Sequence, residues 1–239
     1  MQRAIVCLAL LTSGASLARA DSFYLRYNAD ETFPEQEGWV RYTQGPWWLS
    51  ERGLRDGIFR LDTRASASIA DHYMVTDPAL EPAMGQFLRL TWCMRTLESD
   101  LLGDMSDVDL GITNAARQNV QFFVAPEFVV ETGDGPPWDP EHWYPLKPGA
   151  FHTYLFVTSD MQTYELYVDG AFAFGGEFRG TSFRPGPNVG FGDVIVGLSS
   201  LSEWDFVEVA VVPEPSAALS AALPGFLWSI RRRGSRGVR

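Results

Sequence analysis

The chain has 239 residues, 30 acidic against 19 basic, with a formal net charge of −11 at pH 7 and two cysteines. Seven basic residues lie in the first 20 and last 27 positions, so residues 21–212 hold 12 basic and 29 acidic side chains, a net charge of −17. A body this acidic repels nucleic acid and anionic lipid, and is compatible with divalent cations and neutral glycans. Cys93 is its only cysteine, which excludes an intrachain disulfide there.

Residues 1–20 open with Met1, Gln2 and Arg3, continue through an apolar run at 4–11, and end in Ala18-Arg19-Ala20. A positive start, an apolar stretch and a small-x-small cleavage site are the marks of a secretory signal, an N-terminal signal helix removed on export through the Sec translocon. Cys7 lies inside the signal, well before the cut.

From there to residue 212 the sequence predicts strands. Residues 22–27, 38–42, 57–62 and 71–75 are short β-prone runs broken by Gly, Pro and Asp. The clearest long run is 86–96, where Leu88, Leu90, Trp92 and Met94 fall on one face and Arg89, Thr91, Cys93 and Arg95 on the other. Residues 108–112, 119–124 and 128–131 follow, then a loop over 132–149 carrying five prolines, then a strand at 151–159. Tyr164, Leu166 and Val168 alternate with polar neighbours up to Asp169-Gly170, which predicts a two-residue hairpin with positive φ. No stretch has a sustained 3.6-residue stripe, so helix is expected to be minor. Many short strands with such turns predict one all-β sandwich domain over 21–212.

The last residues read Pro213-Glu214-Pro215, an apolar run at 216–230, then Arg231, Arg232 and Arg233. Two prolines are expected to stop the preceding strand, because neither donates to a ladder. The order proline–acid–proline, apolar run, arginine cluster resembles the PEP-CTERM sorting tail. That resemblance implies recognition of residues 213–239 by an exosortase, transient inner-membrane anchoring, removal of the tail, and display at the surface or in the matrix of a Gram-negative-type bacterium. It also implies an association with exopolysaccharide and biofilm. The run has 15 residues, with Pro224-Gly225 inside it, against roughly 20 for a spanning helix, which argues against stable unprocessed anchoring.

A second resemblance rests on Phe151-His152-Thr153-Tyr154, the 164–170 hairpin, Val189-Gly190-Phe191-Gly192-Asp193 and Trp204-Asp205-Phe206-Val207-Glu208-Val209 in that order. These look like the second half of a laminin G-like or concanavalin A-like jelly roll. The likeness implies a curved face suited to glycans, and only the site itself can supply a function.

Several groups could carry chemistry. Glu98 and Asp100 begin a carboxylate pattern of glycoside hydrolases of that fold class, but Gly103 stands where its last glutamate belongs, and cleavage uses a pair of carboxylates. Cys93 would be a nucleophile only if His72, His142 or His152 came near it. Asp100, Asp104, Asp107 and Asp109 surround a glycine-containing turn and form the first candidate for structural Ca²⁺; Asp134, Asp139 and Glu141 form a second. Sugars pack their C–H faces on aromatic rings, so Trp47, Trp48, Trp138, Trp143, Tyr144 and Trp204 are glycan-binding candidates, with Arg89, Arg95, His152 and Tyr154 as polar partners. Trp92 is expected in the core. The expected function is therefore a non-catalytic surface or matrix protein that binds polysaccharide, with a secreted glycoside hydrolase and a purely structural envelope module as the alternatives.

Overall fold

The structure is a computed structural model, and it describes residues 23–30, 32–100, 108–132, 142–182, 184–194 and 197–213. The expected signal segment with Ala18 and Ala20, and the expected sorting tail from Glu214 through Pro215 to Arg231, Arg232 and Arg233, lie outside the described residues. In chain order the strands are β1 (Tyr24–Asn28), β2 (Val40–Gln44), β3 (Glu51–Arg55), β4 (Ile58–Asp62), β5 (Ala70–Thr76) and β6 (Gln86–Ser99). Next come β7 (Val108–Thr113), β8 (Gln118–Val124), β9 (Phe128–Thr132), β10 (Trp143–Pro145) and β11 (His152–Thr158). The last are β12 (Thr163–Val168), β13 (Ala171–Glu177), β14 (Gly180–Thr181), β15 (Asn188–Asp193) and β16 (Ser200–Pro213). The helices among the described residues are three short 3-10 turns.

The strands form two antiparallel sheets. Sheet A has the order β13-β12-β11-β6-β16-β4-β3, with β1 also on β16; sheet B has the order β10-β9-β8-β7-β15-β5-β2, with β14 on β8. The chain crosses between the sheets eight times, at β1 to β2, β2 to β3, β4 to β5, β5 to β6, β6 to β7, β10 to β11, β13 to β14 and β15 to β16, so its longest pairings are non-local. This is the expected jelly-roll β-sandwich. The hairpin between β12 and β13 turns at Asp169 (φ 51°) and Gly170 (φ 79°), as an Asp-Gly pair requires.

Alternation sorts each strand into a core side and an outer side. Leu88, Leu90, Trp92 and Met94 are buried between the sheets, while Arg89, Thr91 and Arg95 stay on the outside of sheet A. The centre is an aromatic seam in which Phe191 of β15 lies 4.9 Å from Trp39, 4.9 Å from Trp204 and 5.4 Å from Tyr73, centroid to centroid. A register shift between Trp204 and Phe206 places one extra residue in β16, so Trp204 and Val207 both face the core. Trp204, read from sequence as a glycan candidate, is a core residue for that reason.

β16 ends at Pro213, which pairs with Gln86 as the strand's last residue, a position where a missing N–H costs little. Two further expectations are revised. Residues 143–145, expected within the proline-rich loop, form edge strand β10. β3 was not predicted, because Glu51–Arg55 is short and polar and lies at an edge. Replacing Trp204 with Ala is expected to lower stability by about 3–5 kcal/mol in urea unfolding, the range for emptying a large aromatic site in a core.

Candidate functional site

The outer face of sheet B is unlike that of sheet A. Register aligns one residue from each of seven strands in a continuous cross-strand row: Tyr42, His72, Gly192, Asp109, Phe123, Val130 and Trp143. At about 4.8 Å per strand the row spans about 29 Å. A second row holds Val40, Met74, Gly190, Gly111, Gln121 and Thr132. The ends are open, with Tyr42 39% and Trp143 44% exposed, whereas His72, Met74, Asp109, Phe123 and Val130 are buried although they point away from the core. Gly111, Gly190 and Gln121 are half-buried between them. A solvent-facing sheet side normally carries polar, exposed residues; this one is buried along its middle, with an exposed aromatic at each end.

Arg184, carried by the segment before β15, lies across the floor. Its guanidinium donates to His72 Nε2, sits 3.5 Å from Met74 Sδ and lies 5.2 Å above the Tyr42 ring. Tyr42 in turn stacks on His72 at 5.6 Å. Burial lowers the pKa of Arg184 below its ordinary value, with Asp109 and Tyr42 pulling the other way. Burial, and then the positive charge of Arg184, push His72 down to about 3 against the smaller pull of Asp71, so the imidazole is neutral. With Nε2 accepting, Nδ1 carries the proton, and it has no hydrogen-bond partner among the described residues. Gln121 Nε2 donates to Asp109 Oδ2 at 3.1 Å, and Asn188 Nδ2 donates to the Pro185 carbonyl at 2.7 Å. The face thus offers amides, an imidazole and a guanidinium between two aromatic rims, an array suited to hydroxyl groups on a flat ligand.

The residues singled out from sequence are scattered by comparison. Trp143 is at the rim, its ring 6.0 Å from Phe128, while Tyr144 packs against the core. Trp138 lies outside the described residues. Tyr154 is fully buried and stacked on Trp92 at 4.8 Å, so it presents no face to a ligand. His152 is held through Nδ1 by Asp169 (2.6 Å) and through Nε2 by the Lys147 backbone N–H (3.1 Å). Arg89 and Arg95 lie on the outer face of sheet A, paired with Glu208 and Glu203. The structure therefore does not bring these four polar candidates to the Trp143 rim.

Asp100 accepts from Ser199 Oγ at 2.6 Å at the end of β6, and Asp109 belongs to the floor of sheet B. Asp104, Asp107, Asp134, Asp139 and Glu141 lie outside the described residues, among which no group of three or more His, Cys, Asp or Glu could hold a metal ion. Glu98 pairs with Arg64 at 2.7 Å, and Gly103 lies outside the described residues. Cys93 faces away from His152 across the sheet, and burial raises its thiol to about 11, which keeps it protonated. Among the described residues no helix is long and apolar enough to cross a membrane.

Comparison with known proteins agrees with this architecture. No family model matches the chain, and no curated protein matches it. The sandwich is similar to a conserved carbohydrate esterase from the Shiga toxin-encoding bacteriophage phi24B, with a TM-score of 0.55 and 13% identity over 79% of this chain and 97% of that one. Weaker likenesses are to a protein of unknown function from Shewanella oneidensis MR-1 (TM-score 0.47, 11% identity, 82% and 88% covered) and to the binding domain of botulinum neurotoxin DC in complex with rat synaptotagmin II (0.46, 9%, 79% and 47%). The chain spans about half the length of that toxin domain. At 13% identity the likeness to the phage esterase shows the fold alone.

His72 gives a pH test. Its folded pKa, about 3, lies below the ordinary value of about 6.5, so its contribution to stability is complete above pH 6.5 and is lost as the pH falls toward 3. The melting temperature is expected to drop between pH 7 and pH 4.5, and His72→Gln, which keeps an acceptor for Arg184 without titrating, is expected to drop less. Equal drops would remove His72 from the account.

Proposed function

We propose that the chain is an exported, non-catalytic cell-surface or matrix protein whose sandwich binds a neutral polysaccharide on the outer face of sheet B. In this reading residues 1–20 direct export through the Sec translocon. Residues 213–239 are read by an exosortase, hold the protein briefly at the inner membrane and are then removed. The observation that supports the binding role is the outer face of sheet B, where His72, Arg184, Asp109 and the half-buried Gln121 lie between the exposed rings of Tyr42 and Trp143. His72 Nδ1 is buried on this face with no hydrogen-bond partner among the described residues, which is costly unless a ligand supplies one.

The charge of the body supports a neutral ligand over an anionic one. Likeness to a phage carbohydrate esterase is in keeping with a carbohydrate partner. Binding is favoured over glycoside cleavage because the described floor supplies one carboxylate, Asp109, already engaged by Gln121, where cleavage uses two. Phe23 and Pro213 lie at the same end of the sandwich, the Val211 N–H donating to the Phe23 carbonyl at 2.9 Å.

The test is a glycan array together with reducing-sugar release. Binding of neutral polysaccharide without release is expected. Gln121→Ala and Trp143→Ala should each weaken it by about five- to tenfold, near the 1 kcal/mol of one hydrogen bond or ring contact. Sugar release would support the hydrolase instead, and silence on both assays would leave a structural envelope module.

A further inference from the structure

The end of the sandwich remote from Phe23 and Pro213 carries a second aromatic feature. β3 begins at Glu51, which pairs with Asp62, which pairs with Leu201. Leu201 and Pro213 lie at opposite ends of β16, about 40 Å apart at 3.3 Å per residue. Just before β3, Trp47–Leu49 form a 3-10 turn closed by the Leu49 N–H on the Pro46 carbonyl (2.9 Å) and the Ser50 N–H on the Trp47 carbonyl (3.0 Å). Trp47 is 47% and Trp48 70% exposed, and their rings meet edge to face at 6.3 Å. Gly45 turns the chain into this segment with φ +75°, and a Cβ there would stand 1.8 Å from the Ser68 carbonyl oxygen, so glycine is required.

Beneath Trp47 lies a buried ionic anchor. The Arg41 guanidinium sits 5.5 Å from the ring centroid and is itself held by both oxygens of Asp71, through Nε at 2.7 Å and through Nη2. Ser50, at the far side of the turn, donates to Asp71 Oδ2 at 2.7 Å. Asp71 is fully buried. One carboxylate therefore fixes both the cation under the indole and the residue that ends the turn. Neither tryptophan belongs to the core, so the fold does not account for the exposure of two large rings.

We propose that Trp47 and Trp48 form a preorganised platform for the apolar face of a neutral pyranose, a second carbohydrate contact built from residues other than those of sheet B. The proposal rests on the carbohydrate reading above. Two half-exposed indoles and Leu49 offer on the order of 300–400 Å², about a sugar's footprint and well short of the roughly 800 Å² a stable protein interface takes from each partner. A membrane-surface anchor would pair its tryptophans with free basic residues; here the adjacent arginine is neutralised by Asp71, and the body is strongly acidic. Because turn and ring are already fixed, little ordering entropy opposes binding.

The test uses the purified protein in affinity electrophoresis through gels carrying hydroxyethylcellulose, dextran or a galactan, and in co-sedimentation with phosphatidylcholine–phosphatidylglycerol vesicles. Trp47→Ala/Trp48→Ala should lose about tenfold in affinity for the retarding polysaccharide. Trp47→Phe/Trp48→Phe should recover part of it, with the melting temperature unchanged in both. Retardation that survives the double alanine variant but falls in Gln121→Ala would overturn the platform and leave the sheet B site standing. Wild-type protein that sediments with vesicles and is retarded by none of the polymers would make the pair a membrane contact. Protein that neither sediments nor is retarded would overturn both sites.

Discussion

The register of β15 is the constraint on which the rest of the structure depends. Phe191 fills the seam among Tyr27, Trp39, Tyr73 and Trp204, and strand alternation then sends Gly190 and Gly192 to the opposite side. A slip of one residue would place glycines in the core and Phe191 on the outer floor. Gly192 adopts φ +130°, and a Cβ there would come within 2.8 Å of the Asp71 carbonyl oxygen and His72 Cα, so β15 and β5 approach as closely as they do only because this residue lacks one. The core thus sets the site: the strand that seats Phe191 inside also aligns His72 and Asp109 outside.

The two outer faces show what that alignment achieves. On sheet A, Arg89 with Glu208 and Arg95 with Glu203 are partly exposed ion pairs of the kind that contribute little to stability. On sheet B the polar groups are sequestered, the imidazole is neutral, and Arg184 over the floor is partly desolvated. Such a surface is poor at drawing in charge from a distance. It is better suited to a partner recognised at close range by directional hydrogen bonds and ring faces, which is how neutral sugars are held.

Much of the fold was legible because its signals are local. The period-two run at 86–96 and the Asp-Gly hairpin each fall within a dozen residues, and both appear in the structure as read. The site was not legible, because it is assembled by long-range register. His72 and Arg184 meet across 112 positions, and neither carries a motif. Asp109 read as one of a group of loop acids, although strand pairing separates it from Asp100 and gives it to Gln121. Tyr154 was misplaced for want of one phase decision: in β11 it shares the inner side with His152 and Phe156, which its polar handle disguised. Trp204 was misplaced by a bulge that no composition reveals. Trp47 and Trp48 stood out as residues, but the Arg41–Asp71 anchor beneath one of them depends on contacts 30 positions apart.

The most direct measurement is amide chemical-shift mapping of the isotopically labelled protein titrated with oligosaccharides of whichever neutral polysaccharide it binds. The account predicts perturbations concentrated along the cross-strand rows of β5, β15, β7 and β8, with His72, Asp109, Gly111 and Gln121 prominent. Perturbations confined to the Arg89 and Arg95 face of sheet A, with those rows silent, would contradict it.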